Sequence, residues 1–252
     1  MKKLRMEQAR QHTVEMEDKF NNEILRCCRL TKRYVTDHIF APVKKRFDKT
    51  DVKLIDTDSV SAILKYSSHA KKTAVLNFAS YKNPGGMFLQ GSKAQEECLC
   101  HESFLYNVLR EYELEYYNWN RVHLNKALYL NRALYSPDVI FERGEYRSKC
   151  DVITCAAPNF GTYSRYNKDL ELNYVYLRDR IHFILKIAAE NKVDTLILGA
   201  FGCGVFKQDP EQVALIFDEF LSTDFENVFE TVIFAIPDRN SKNYKAFEKV
   251  FK

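Results

Sequence analysis

The strongest chemical feature of this 252-residue chain is a pair of adjacent carboxylates at the end of a glycine-bearing loop. The segment reads Val75-Leu-Asn-Phe-Ala-Ser-Tyr-Lys-Asn-Pro-Gly-Gly-Met-Phe-Leu-Gln-Gly-Ser-Lys-Ala-Gln-Glu-Glu97. Its apolar start predicts a buried strand ending at Ala79. Gly85, Gly86 and Gly91 then let the backbone approach a ligand closely. A helix opens near Gln95, Glu96 and Glu97, where the positive helix end favours ionised carboxylates. Successive helical residues diverge by about 100°, so the two glutamates must do different work. One can grip a substrate hydroxyl while the other exchanges a proton. Acidic residues also favour any first helical turn, which is the plainer explanation of the pair taken alone.

A second loop follows another apolar run, Leu196-Ile-Leu-Gly199-Ala-Phe201-Gly202-Cys203-Gly204-Val205-Phe206. Closely spaced glycines ahead of a helix can present backbone N–H groups as an anion nest suited to a diphosphate. The loop lacks the Lys-Ser/Thr of a Walker loop and the G-x-G-x-x-G spacing of dinucleotide folds. A tight strand-to-helix turn would use the same residues. The helix after it is signposted by Asp209 as N-cap, Pro210 at the first position and Gln212 at capping-box spacing. Cys203 sits where a thiol pKa could fall, but nothing in the sequence supplies it with a base.

These loops need a scaffold. Apolar runs predict strands at Val52–Ile55, Thr73–Ala79, Ala127–Leu130, Asp151–Ala156, Thr195–Leu198 and Thr231–Ile236. Several are continuous rather than alternating, as strands buried on both faces require. Helical patterns lie at Met6–Cys28, Ser59–His69, Gln95–Arg110, Lys168–Asn191, Pro210–Leu221 and Ser241–Phe251. The alternation predicts a three-layer α/β domain over residues 51–252, with residues 1–50 as a helical accessory region packed on it. In such sheets ligands sit at the carboxyl ends of strands, where both loops lie.

Composition narrows the class. Hydrophobic residues make up 46% and charged residues 29%, which excludes disordered and low-complexity chains. No apolar run reaches the roughly 18 to 20 residues of a membrane span. The charged N-terminus has no apolar stretch behind it, so the expectation is a soluble intracellular protein. Seven cysteines, an odd count, predict free buried thiols in a reducing compartment. Their spacing, Cys27-Cys28 and Cys98-Leu99-Cys100, does not make a zinc site. The net charge of +4 is uneven: residues 1–50 carry 13 Lys/Arg against 7 Asp/Glu, so the remainder sums to −2. That excess does not predict sequence-specific nucleic-acid binding. The aromatic run Glu115-Tyr-Tyr-Asn-Trp119 lacks basic companions and reads as a partly buried loop.

Taken together, Asn77-Phe-Ala-Ser, Asn83-Pro-Gly-Gly and Ala94-Gln-Glu-Glu97 resemble the signature of the microbial-type poly(ADP-ribose) glycohydrolases, enzymes of macrodomain fold. That signature is a triple glycine followed at short spacing by Gln-Glu-Glu. The resemblance continues through Tyr135-Ser-Pro-Asp-Val139, Asp151-Val-Ile-Thr-Cys-Ala-Ala-Pro-Asn159 and Gly199–Phe206 with Asp209-Pro210. It extends to the N-terminal helical stretch, which is similar to the family's accessory region. One departure is Met87, which stands where the family keeps its third glycine.

The resemblance implies a macrodomain-like α/β/α domain with a mixed sheet that hydrolyses ribose–ribose O-glycosidic bonds in ADP-ribose polymers and releases ADP-ribose. Glu97 would be the general acid and then the base that activates water, a task that calls for a raised pKa through burial or the charge of Glu96. Glu96 would hold a ribose hydroxyl. Asn83 and the backbone of Gly85 and Gly86 would position the terminal ribose, Gln95 would be a further substrate-binding residue, and Gly202, Cys203, Gly204, Val205 and Phe206 would hold the diphosphate. Phe206 serves core packing equally well. Phe234 to Asp238 would border the adenine. The resemblance implies neither metal nor cofactor. The implied partners are poly(ADP-ribose) or ADP-ribosylated proteins, in the cytoplasm or, in a eukaryote, the nucleus. Two alternatives stay open: an ADP-ribose reader without activity, its productive geometry blocked by Met87, and a hydrolase acting on ADP-ribose joined to protein or nucleobase.

Overall fold

Seven strands form one mixed sheet in the computed structural model, which describes residues 2–68 and 70–252. In chain order they are β1 (Lys32–Tyr34), β2 (Asp51–Ile55), β3 (Thr73–Phe78), β4 (Ala133–Arg143), β5 (Tyr146–Cys155), β6 (Thr195–Leu198) and β7 (Thr231–Ala235). The spatial order is β1-β4-β5-β3-β6-β7-β2. From β5 to β2 every neighbour is parallel, while β4 runs antiparallel to both β5 and β1. Parallel strands must be covered on both faces, which explains the unbroken apolar runs at β3, β6 and β7.

The helices are α1 (Lys2–Leu30), α2 (Ser59–Tyr66), α3 (Gln95–His101), α4 (Leu105–Leu109), α5 (Trp119–Val122), α6 (Phe160–Tyr163), α7 (Glu171–Glu190), α8 (Pro210–Ser222) and α9 (Lys242–Phe251). Strand periodicity sorts the core into two layers. Leu76, Ile153, Leu196 and Phe234 face one cluster with Ile181 and Ile184 of α7, Phe217 of α8 and Phe247 of α9. Val75, Val152, Ile197 and Ile233 face the other, with Phe20 of α1, Ile63 of α2, Leu99 of α3 and Val108 of α4. The result is the expected α/β/α sandwich.

Several elements depart from expectation. Ala127–Leu130 is not a strand. It belongs to a tight turn with Asn125, Lys126, Ala127 and Tyr129 in the left-handed region, and its apolar Leu128 and Tyr129 fill the interior beside that turn. β4 was hidden by Pro137-Asp138, which reads as a turn. These residues form a bulge between Ser136 and Val139, held by the Asp138 amide donating to Asp151 Oδ1 at 2.8 Å. The expected helix Gln95–Arg110 breaks near Ser103, whose hydroxyl donates back to Leu99 O and accepts the Leu105 amide. The aromatic run at 115–119 is helical, a wide π-type turn with Tyr116 and Tyr117 buried. α2 ends at Tyr66, short of the expected His69, which lies outside the described residues. The N-terminal fifty residues contribute one long helix, kinked at Phe20, and β1 at the edge of the sheet.

Candidate active site

β3 ends at Phe78 and α3 begins at Gln95, so the glycine loop between them starts and finishes at the carboxyl edge of the sheet. Gln95 locks this junction. Its Nε2 donates to Leu76 O at 2.8 Å and Ser59 Oγ at 3.1 Å, while its Oε1 accepts the Phe78 amide at 2.9 Å. The side chain therefore fastens α3 to the end of β3 and to α2, and through that aims the two residues after it.

Those two are buried and diverge as the helical rotation demands. Glu96, 3% exposed, accepts the Ser80 amide at 2.7 Å and Asn77 Nδ2 at 3.2 Å. Glu97, 5% exposed, accepts the Met87 amide at 2.8 Å on Oε1, and its Oε2 is buried without a hydrogen-bond partner among the described residues. Burial pushes the Glu96 carboxyl up to about 8 against the opposing bonds from Ser80 and Asn77, with a smaller upward push from the charge of Glu97. The burial follows from position: the Glu96 side chain turns in beneath the end of β3, between Asn77 and Ser80.

Gly86 separates the two carboxylates. A Cβ there would lie 2.7 Å from Glu97 Oε1 and 2.8 Å from Glu96 Oε2, and the backbone holds φ at +62°. Glycine is thus required twice over, by conformation and by contact. Gly85 lies buried beside Tyr106 and Cys100. Met87 is different. Its φ is −110°, open to any residue, and its side chain is half-exposed, so the backbone amide is what serves the site. Asn83 accepts the Gly86 amide on its carbonyl at 3.1 Å, and its half-buried side chain makes no hydrogen bond to the described residues.

The second glycine loop joins β6 to α8. Asp209 caps α8 by accepting the Glu211 amide at 2.9 Å, rather than pairing with Gln212. Within the loop the amides of Phe201, Cys203, Lys207 and Gln208 are engaged by loop carbonyls. Those of Gly202, Gly204, Val205 and Phe206 find no acceptor among the described residues. These same four residues border a cavity of about 420 Å³, within the range of ligand pockets. Cys203 does not border it. Its amide is spent on Ala200 O, and its thiol turns toward Phe201 O and is pushed up to about 12, chiefly by burial. The side chain is therefore packing, neither ligand contact nor nucleophile. Phe206 borders the cavity and also meets Tyr129 edge-on at 6.1 Å; Tyr129 in turn stacks on Tyr81 at 4.2 Å.

Sequence reasoning missed part of the wall. Asp58 and Ser59 at the start of α2, Lys93 and Cys98 around α3, and Ser241 and Asn243 at α9 border the cavity with Ala235–Pro237. The signal was available: Asp58 is an N-cap just beyond a strand, accepting the Val60 and Ser61 amides. Of the Phe234–Asp238 segment expected at the adenine, Phe234 is core while Ala235, Ile236 and Pro237 line the wall. Neither glutamate lines this cavity, and neither do Asn83, Gly85 or Gly86: both carboxylates lie against Gly86, while Gln95 and Cys98, the residues on either side of the pair in sequence, border the cavity. Among the described residues no cluster of His, Cys, Asp and Glu is arranged to hold a metal ion, and no helix is long and apolar enough to cross a membrane.

The site thus combines a cavity bordered by four unengaged loop amides with a buried carboxylate pair at the start of α3, one oxygen of which has no hydrogen-bond partner among the described residues. Comparison with known proteins bears on the family and the fold. Residues 2–144 match the family model described as the microbial-type PARG catalytic domain. Among solved structures, the poly(ADP-ribose) glycohydrolase of Thermomonospora curvata is 28% identical, with a TM-score of 0.88 over 98% of this chain and 99% of that one. The same enzyme bound to the inhibitor ADP-HPD gives 28% identity and 0.85 over 97% and 98%. The T267R mutant of the Deinococcus radiodurans enzyme in complex with ADP-ribose is 30% identical, with a TM-score of 0.79 over 91% and 97%. No curated protein sequence matches the chain. A family model spanning more than half the residues, joined to structural likeness over nearly all of them, places this chain in the family of microbial-type poly(ADP-ribose) glycohydrolases.

Proposed function

We propose that this protein hydrolyses the ribose–ribose O-glycosidic bond of poly(ADP-ribose) and releases ADP-ribose, with Glu97 as the proton donor and acceptor. The observation that carries the reading is the free, buried Oε2 of Glu97, opposite an Oε1 fixed by the Met87 amide. A leaving ribose hydroxyl needs a proton as the anomeric carbon becomes oxocarbenium-like. Glu97 gives that proton through Oε2, then takes one from the water that attacks the same carbon. The adenosine moiety occupies the cavity, the unengaged amides of Gly202, Gly204, Val205 and Phe206 hold the diphosphate, and Asn83 and the Gly85–Gly86 backbone border the terminal ribose. Glu96 grips a ribose hydroxyl. Held neutral by burial below about pH 8, it adds no charge of its own, so the one negative charge of the pair is that which Glu97 acquires as it gives up its proton, and that charge favours the developing cation.

A second assignment has its own support: the raised pKa of Glu96 suits a proton donor, with Glu97 then the charged partner. ADP-ribose release from purified polymer, measured for wild type, Glu97→Gln and Glu96→Gln, separates the two. Loss confined to the Glu97 variant sustains the first reading, and loss confined to Glu96→Gln sustains the second. Wild-type protein that binds ADP-ribose in calorimetry but releases none from polymer would instead be a reader, or a hydrolase of ADP-ribose linked to protein or nucleobase.

A further inference from the structure

We propose that α1 positions the catalytic loop, with Arg5 as the principal clamp; the proposal rests on the reading of Glu97 as the acid. The loop arm that touches Glu97 is a compact turn. The Phe88 amide donates to Gly85 O at 3.0 Å, the Gly91 amide to Phe88 O at 2.9 Å and the Ser92 amide to Met87 O at 3.1 Å. Its far end lies against α1. Gly91 holds φ at +74°, and a Cβ there would sit 2.9 Å from Lys2 O, 3.1 Å from Arg5 Cβ and 3.3 Å from the Met6 nitrogen. Arg5 Nε donates to Gly91 O at 2.7 Å across 86 residues of sequence.

A second contact lies one helical stretch further along α1. His12 Nε2 is hydrogen-bonded to Ser103 O at 3.0 Å, and its ring meets the edge of Phe88 at 6.3 Å. Phe88, 1% exposed, is held on its other sides by His101 at 4.6 Å and Tyr106 at 5.1 Å. Three hydrogen bonds joined through the backbone of the turn therefore lead from Arg5 to Gly91, from Ser92 to Met87, and from Met87 to Glu97. None of the residues bordering the adenosine and diphosphate cavity belongs to α1. The helix bears on the acid and leaves the binding loops alone.

This separation makes the role measurable. In full-length protein, Arg5→Ala lowers kcat on poly(ADP-ribose) by roughly 10-fold or more, the scale of effect that a small misplacement of a reacting group produces. ADP-ribose affinity stays within about 2-fold, because the diphosphate nest is intact. Arg5→Lys, which keeps a donor to Gly91 O, recovers part of the rate. Hydrogen exchange in a peptide spanning 84–92 quickens in Arg5→Ala while that spanning 200–208 does not change. The proposal is overturned if kcat and 84–92 exchange both match wild type. It is equally overturned if rate, ADP-ribose affinity and Tm fall together, since that describes a general loss of structure. A wild-type protein without polymer cleavage defeats the glycohydrolase reading, and the exchange data then decide the clamp alone.

Discussion

The backbone N–H of Met87 donates to Oε1 of Glu97 at 2.8 Å, so the residue that stands where the resemblance leads one to expect a third glycine is the one that orients the proposed acid. A peptide amide makes this bond whatever side chain it carries. With φ at −110°, position 87 has no conformational need for glycine, and the methionine side chain is half-exposed. The departure is therefore compatible with turnover. Met87→Gly is expected to leave kcat within about 3-fold and to shift KM at most modestly, since only an exposed side chain is lost. Steady-state release of ADP-ribose from polymer checks this. A rise of a hundredfold would instead identify methionine as a block and the natural protein as a lapsed enzyme.

Removing the titrating oxygen is a more severe test. Glu97→Gln preserves shape and can still accept the Met87 amide, but it cannot deliver or take up a proton. General acid–base contributions of about 10²–10⁴ predict a loss of that order in kcat. Affinity for ADP-ribose, measured by calorimetry, should remain within a few-fold. Retention of wild-type turnover would remove Glu97 from the mechanism.

The two glycine loops should fail differently. A Cβ at Gly204 meets nothing within 4 Å, so Gly204→Val folds without strain and pushes its side chain into the space where the diphosphate is to lie. The expected outcome is an unchanged Tm with ADP-ribose affinity weakened by at least about 10-fold, one tenfold step being about 1.4 kcal/mol. At Gly86 a Cβ collides with both carboxylates under a left-handed backbone. Gly86→Ala should therefore lower Tm and turnover together. Unchanged affinity in Gly204→Val would remove the nest from the binding site.

How far the sequence speaks is visible in particular residues. Buried strands such as Thr195–Leu198 were legible because apolar runs ending in glycine have few other uses. The Gln-Glu-Glu triplet was legible as chemistry, with different work for its two glutamates, but the structural part played by Gln95 was not. That Gln95 is consumed by Leu76, Phe78 and Ser59 depends on three chain segments meeting, and no local pattern encodes such a meeting. β4 was hidden because Pro137-Asp138 carries a turn signal that the structure spends on a bulge. Cys203 was grouped with its loop neighbours because spacing does not tell which side of a loop a thiol faces. The clamp from Arg5 to Gly91 is likewise a tertiary fact, written nowhere within either segment.

The buried Glu96 makes stability depend on pH in a stated direction. Its carboxyl rises from 4.5 to about 8 on folding, chiefly through burial. Between those values the folded chain holds a proton that the unfolded chain has released, so stability falls as pH rises. The full contribution is present below about pH 4.5, declines across the interval, and stops changing above about pH 8. At 1.36 kcal/mol per unit the loss is a few kcal/mol at most. Glu96→Gln removes the titration and should flatten this part of the profile while costing little near pH 5, where both chains present a neutral side chain. Urea unfolding of wild type and variant from pH 5 to pH 9 measures the difference directly. Parallel profiles would mean that Glu96 is ionised in the folded protein throughout, and the single-charge account of the glutamate pair would fall with it.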